Sequence, residues 1–207
     1  MKPARRHACV ALTAIAACAG ASAQDQRSPD EPSRPTAEAV VRVFIDACVL
    51  PEGELTAAVD WAINHGFSPA DPTAIDVRPL LGGQPGNVLA MPDTAAPVLL
   101  AVTTDRRCTV WAERMSGPSL RRAFQQAAAQ LATRGARVQP MLDRTIERAG
   151  AWRQHLQLRY RRVGGSQDFG IGVVTTVAAA AGSQALHFAP APTAPPATDA
   201  DAPAVMR

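Results

Sequence analysis

From Trp152 to Arg161 the chain alternates. Leu156, Leu158 and Tyr160 are apolar, and Arg153, His155, Gln157, Arg159 and Arg161 between them are polar. A period of two over that length is a β-strand buried on one side only, and its apolar side requires a second layer to cover it. Residues 138–148, just before it, admit two readings. Val138, Leu142 and Ile146 lie on one face of a strand, or Pro140 opens a short helix. The strand is favoured because Arg148-Ala149-Gly150 supplies a three-residue loop with glycine last. Such a loop would set even residues opposite even residues in a hairpin.

Other segments supply the covering layer. Thr36 is a helix N-cap followed by Ala37, Val40, Val41, Phe44, Ile45 and Cys48 at helical spacing. Glu54 to His65 repeats that pattern and stops at Gly66, and Ser119 to Arg134 stops at Gly135. Val98 to Thr103 and Cys108 to Met115 read as strands joined by a turn at Asp105-Arg106-Arg107. Residues 170–178 and 184–188 add two more. Residues 66–97, rich in Gly and Pro, read mainly as loop, with a helical turn near residues 74–81. The expected fold class is therefore α+β, an antiparallel sheet of about five or six strands with helices packed on one face.

The amino terminus sets the compartment. Lys2, Arg5 and Arg6 precede an apolar run from Ala8 to Ala17 and a group of small residues, the plan of a signal peptide over residues 1–23. Cleavage after Ala23 follows Ala21-Ser22-Ala23. Ile15-Ala16-Ala17-Cys18 also matches a lipobox, which would make Cys18 a lipidated first residue and a membrane anchor. A flexible linker is expected over 24–35, a single domain over 36–189 and a disordered Pro/Ala-rich tail over 190–207. Export places the protein in the periplasm or outside the cell, where Cys48 and Cys108 read as one disulfide.

The charge balance restricts the partners. The chain has 21 Lys and Arg against 18 Asp and Glu, and three of the basic residues lie in the leader. The remainder is formally neutral, with few aromatics, which argues against nucleic acid. Within it the charge is divided. Residues 24–76 hold ten acidic residues against three Arg, and residues 106–162 hold thirteen Arg against three acidic residues. Either the halves pair internally or a basic face meets an anionic partner. The row Arg153, His155, Arg159 and Arg161 is the candidate face, and the alternative is a solvated surface paired with neighbours such as Asp143 and Glu147.

Reaction chemistry finds little support. His65, His155 and His187 lack metal-ligand spacing, and each reads as structural or surface. No G-x-S-x-G surrounds Ser166 or Ser183, and Gly170-x-Gly172 lacks the lysine and following helix of a phosphate loop. No cofactor, metal or catalytic residue is assigned.

The segment VFIDACVLPEGELTAAVDWAINHGF, then CTVWAER before an Ala-rich helix, resembles a family of small exported proteins of proteobacteria, periplasmic or lipoprotein, over residues 36–178. The resemblance implies a fold plan and a disulfide and carries over no catalytic residues. The leading expectation is a non-enzymatic envelope protein that binds a small ligand or a protein. The alternatives are a hydrolase with a site assembled from scattered residues, or a lipid-anchored structural or assembly factor.

Overall fold

A computed structural model describes residues 34–73, 76–148 and 150–191. The leader with both processing points, the linker up to residue 33 and the tail beyond residue 191 lie outside the described residues.

Helix α1 (Ala37–Phe44) starts where the Thr36 hydroxyl accepts the Ala39 N–H at 3.2 Å, satisfying one of the unpaired donors of a first turn. It runs directly into a π-helical turn (Ile45–Val49) that carries Cys48. Glu52 and Gly53, both with positive φ, reverse the chain. Helix α2 (Leu55–Asn64) then opens on Glu54, whose carboxylate accepts the Thr56 and Ala57 N–H groups at 3.1 and 2.6 Å. Those amides, Ala57 first, hold the Glu54 carboxyl below the usual carboxylate range.

Next come β1 (Ser68–Pro69), the single turn α3 (Arg78–Leu81), β2 (Gly86–Ala90), β3 (Val98–Thr103) and β4 (Cys108–Ser116). Helix α4 (Gly117–Thr133) follows, then β5 (Arg137–Arg148), β6 (Ala151–Arg161), β7 (Phe169–Thr176) and β8 (Ala181–Pro190). The strands form one antiparallel sheet in the order β1-β2-β3-β4-β8-β7-β6-β5.

The class is α+β with one antiparallel sheet, but the sheet has eight strands. The expected five or six omitted β1 and β2, which lie inside the Gly- and Pro-rich stretch. Both are short, and only Leu89 of β2 is buried, so neither shows a readable alternation. The carboxyl end differs too. β8 runs through Pro190, which pairs with Phe169, and the Ala191 N–H donates to the Asp168 carbonyl at 3.0 Å. The fold therefore extends past the expected boundary at 189.

Helices α1, α2 and α4 share one core with one face of the sheet. Phe44 of α1 meets Phe124 of α4 with ring centroids 6.2 Å apart, and beneath them Phe169 and Phe188 stack at 4.8 Å. Leu100, Val110, Leu186, Val173 and Leu156 continue that face across five strands. A Cβ on Gly117 would fall on the Thr176 carbonyl, so only glycine lets α4 start this close to β7. Gln184 is buried in the same layer. Its amide nitrogen donates to the Met115 carbonyl (2.8 Å) and the Thr176 hydroxyl (3.0 Å), and its oxygen accepts the Thr176 N–H (2.8 Å). This pins the irregularity in β4 between Ala112 and Met115.

The β5–β6 hairpin forms, so residues 138–148 are strand, but its register is not the expected one. Arg148 pairs with Ala151 and Ile146 with Arg153, odd against even, across a two-residue loop. A bulge between Pro140 and Leu142 absorbs the extra residue and restores the Val138–Tyr160 pairing. Val138 therefore lies on the helix side, while Leu142 and Ile146 lie on the other.

The π-helical turn is tied to β4 by the Cys48–Cys108 disulfide, with Cα atoms 5.5 Å apart and a separation of 60 residues. Both residues are fully buried. In the chain-entropy model a loop of that length stabilises the fold by about 4 kcal/mol. A Cys48→Ala/Cys108→Ala variant should lose most of that in urea unfolding. A loss below about 1 kcal/mol would show that the helix layer holds its place without the bridge.

Candidate functional site

The second face of the sheet has a different character. One row across it runs Leu99, Trp111, Ala185, Val174, His155 and Arg144, and the next runs Ala101, Thr109, His187, Gly172, Gln157 and Leu142. At the β3 end this face is dry, with Leu99 and Ala101 both 3% exposed. Toward β5 it becomes polar and arginine-bearing.

The strand at 151–161 places its faces as its alternation requires. Leu156, Leu158 and Tyr160 are buried on the helix side, where burial raises the Tyr160 pKa. Arg153, His155, Arg159 and Arg161 project from the second face. Arg153 donates to the Ser183 carbonyl at 2.7 Å. Arg161 donates to Asp168 at 2.6 Å, and Arg159 reaches the same carboxylate at 4.0 Å. The Arg161 hydrogen bond is the main reason the Asp168 carboxyl lies below its usual range. Trp152, at the end of this strand, is 58% exposed.

The expected pairing of this row with Asp143 and Glu147 is not what forms around Asp143. The β5 bulge turns Asp143 to the helix side, where it accepts from Arg121 of α4 at 2.7 Å. The divided charge is matched internally at Glu52. Glu52 accepts from Arg106 at 3.3 Å and Arg162 at 3.1 Å, and the Arg106 guanidinium lies 5.0 Å from the Phe169 ring centroid. On the second face, Arg159 and Arg161 pair with Asp168, which lies outside the acidic half.

The centre of the face is a feature that linear reading missed. His155 on β6 and His187 on β8 flank β7, and their rings lie 5.7 Å apart at 53°. They meet above Gly172. A Cβ there would fall on the His187 imidazole, so the pair exists only because β7 carries no side chain at that point. His155 Nδ1 is buried without a hydrogen-bond partner among the described residues. Burial, and then the charge of Arg144, lowers the His155 pKa. Burial, and then His155, lowers that of His187 to about 4. Both imidazoles are therefore neutral at neutral pH. His65, by contrast, closes α2 by stacking on Trp61 at 4.0 Å and bonding through Nδ1 to the Trp61 carbonyl at 2.7 Å. The one sequence signal for the pair was a histidine on the outward side of an otherwise apolar strand, opposite a glycine-spaced one.

Beside His187 a recess of about 500 Å³ opens toward Thr109, Arg107, Asp105, Ala189 and Pro190. Arg107 pairs with Asp105 at 2.9 Å, and Asp105 also accepts from the Thr103 hydroxyl. Among the described residues no group of three or more His, Cys, Asp or Glu is placed to hold a metal ion. No protein-family model matches the chain, and no curated protein matches it significantly.

The buried imidazole makes stability depend on pH. The folded chain resists protonating His187 until about pH 4, whereas an unfolded histidine takes a proton near pH 6.5. The unfolded state therefore binds more protons between those values, and stability falls as pH drops from about 6.5 to about 4. Allowing for solvent at the ring edge, the loss is roughly 2–3 kcal/mol. A His187→Gln variant should flatten the urea midpoint over this window. An unchanged slope would mean that His187 is not the group responsible.

Proposed function

We propose that this chain is an exported, non-enzymatic binding protein of the cell envelope that engages an anionic partner through the second face of its sheet. The observation that carries the reading is the separation of faces. Helices α1, α2 and α4 share the core of one face, while Arg144, Arg153, Arg159 and Arg161 project from the other. Only Asp168 among the described residues forms ion pairs with these four. A face with more guanidinium than carboxylate attracts acidic groups at a distance and can hold them in bidentate contact.

Export is supported by the signal-peptide pattern and by a buried disulfide, which persists in oxidising compartments. Among the described residues no helix is long and apolar enough to cross a membrane. Lipidation at Cys18 would add an anchor without changing the binding face. The competing reading, a hydrolase assembled from scattered residues, would draw on His155 and His187. Neither ring is hydrogen-bonded to a carboxylate or hydroxyl among the described residues, so neither is oriented as a general base is.

The test uses Arg144, which is exposed, and Arg159, whose contact with Asp168 is long. An Arg144→Gln/Arg159→Gln variant should shift the thermal midpoint by less than about 3 °C. Its binding to immobilised dextran sulfate should weaken about tenfold at low salt, and the difference should vanish near ~0.5 M salt. Equal binding at low salt would remove the arginine face from the function.

A further inference from the structure

We propose that the recess between α1, the end of α2 and the β2–β3 connection is a binding site for a small organic cation with an apolar body. The recess belongs to the helix layer, so the proposal is independent of the arginine face.

The recess has a volume of about 660 Å³, within the range of small-molecule sites. One wall is aromatic, and the way α2 ends builds it. Gly66, with φ at 82°, lets the Phe67 N–H donate to the Ala62 carbonyl and its own N–H to the Ile63 carbonyl, both at 3.0 Å. That turn sets Phe67 against Trp61, with ring centroids 6.0 Å apart. The His65 ring stacks on the indole at 4.0 Å and is fixed there by its bond to the Trp61 carbonyl. Met91 and Pro92 from the β2–β3 connection and Ala39 and Val43 from α1 complete the apolar lining. Trp61 and Met91 are only half-buried, so each has surface left for a ligand to cover.

Charge selects the sign of the ligand. Glu38, Arg42 and Asp46 follow one another at four-residue spacing along α1 and the π-helical turn. They line both this recess and a second one of about 430 Å³ against α4. The second recess adds Arg134 and no aromatic side chain, so its carboxylates and guanidiniums balance. The larger recess has two carboxylates against the single guanidinium of Arg42. Among the described residues neither Glu38 nor Asp46 is engaged by a side-chain hydrogen bond or an ion pair. Exposed Asp60 and Asp93 adjoin Trp61 and Pro92 in the chain, against Arg34 ahead of Thr36. A cation here gains carboxylates on one side and the quadrupoles of the aromatic rings on the other. The thioether of Met91 adds a polarisable contact. A bare inorganic ion would leave the apolar walls wet, so the ligand the lining fits carries an apolar body.

Tetraphenylphosphonium and tetraphenylborate are suitable probes because they match in size and shape and differ in the sign of their charge. With the full mature chain, the phosphonium should bind saturably and shift the Trp61 indole N–H resonance, assigned by NMR with a Trp61→Phe variant. The borate should need about tenfold more ligand to move the same resonance. A Glu38→Gln/Asp46→Asn variant should bind the phosphonium about fivefold more weakly at low salt, and the difference should shrink near ~0.5 M salt. A phosphonium that leaves Trp61 unmoved, or a borate that moves it as readily, would overturn the site. That comparison uses the unaltered protein and so decides the matter even where the variant fails to fold. Phosphonium binding that the folded double variant retains in full would also overturn it. A lysine hexapeptide that moves Trp61 where the phosphonium does not would make the occupant a peptide. Self-association abolished by Trp61→Arg, without phosphonium binding, would place a second copy over the recess. Either result overturns the proposal.

Discussion

The packing of α1 and α4 against each other on a single side of the sheet determines what the rest of the molecule can do. Seven inter-strand spacings make the sheet about 34 Å wide, and α4, with 17 residues, is about 25 Å long. Three helices suffice for one face. The aromatic cluster of Phe44, Phe124, Phe169 and Phe188 is concentrated there, and the disulfide fixes the end of the α1 segment to a central strand beneath it. The second face is dry at its β3 end, where Leu99 and Ala101 are buried, and toward β6 and β5 it carries side chains that tolerate water, arginine, histidine and glutamine among them.

That division explains how charge is arranged. Ordering the Glu52 reversal brings Arg106 and Arg162 onto a single carboxylate next to the disulfide and the Phe169 ring. Ion pairs of this kind, partly shielded and hydrogen-bonded to backbone as Arg106 is to the Glu52 carbonyl, are worth more than isolated surface pairs. The arginines on β5 and β6 lie on the opposite side of the sheet from α1 and α2, out of reach of the acids those helices carry. The acidic and basic halves of the chain thus meet at the Glu52 seam.

Where a segment's local pattern matched its tertiary surroundings, the sequence was sufficient. The helices from Ala37, Leu55 and Gly117, and the strands around Leu100, Val110 and Leu158, follow from apolar spacing and caps. The alternation at 151–161 also assigned its buried side correctly, and Cys48 and Cys108 were paired from their number and compartment. β1 and β2 could not be seen because Pro69, Gly86 and Asn87 interrupt the pattern, and the pairing of β1 with β2 and of β2 with β3 comes from neighbours about ten to twenty residues away. The bulge after Pro140 leaves no mark in periodicity, so the faces of Leu142 and Asp143 came out reversed. The histidine pair was invisible for a related reason: His155, Gly172 and His187 belong to three strands, and only their register brings them together.

The bulge in β5 has a consequence for how this surface can change over time. β5 is the last strand of the sheet and is bonded only to β6. A gain or loss of one residue there disturbs no other pairing. Between the bulge and the hairpin loop it would exchange the sides taken by Asp143 and Arg144, the first now turned toward α4 and the second toward the histidines. Length variation at this edge, which in a central strand would cost the fold, would here be expressed as a change of charge on the exposed surface. The edge strand can thus drift in length and retune what the surface attracts, while the seven strands beside it keep their registers.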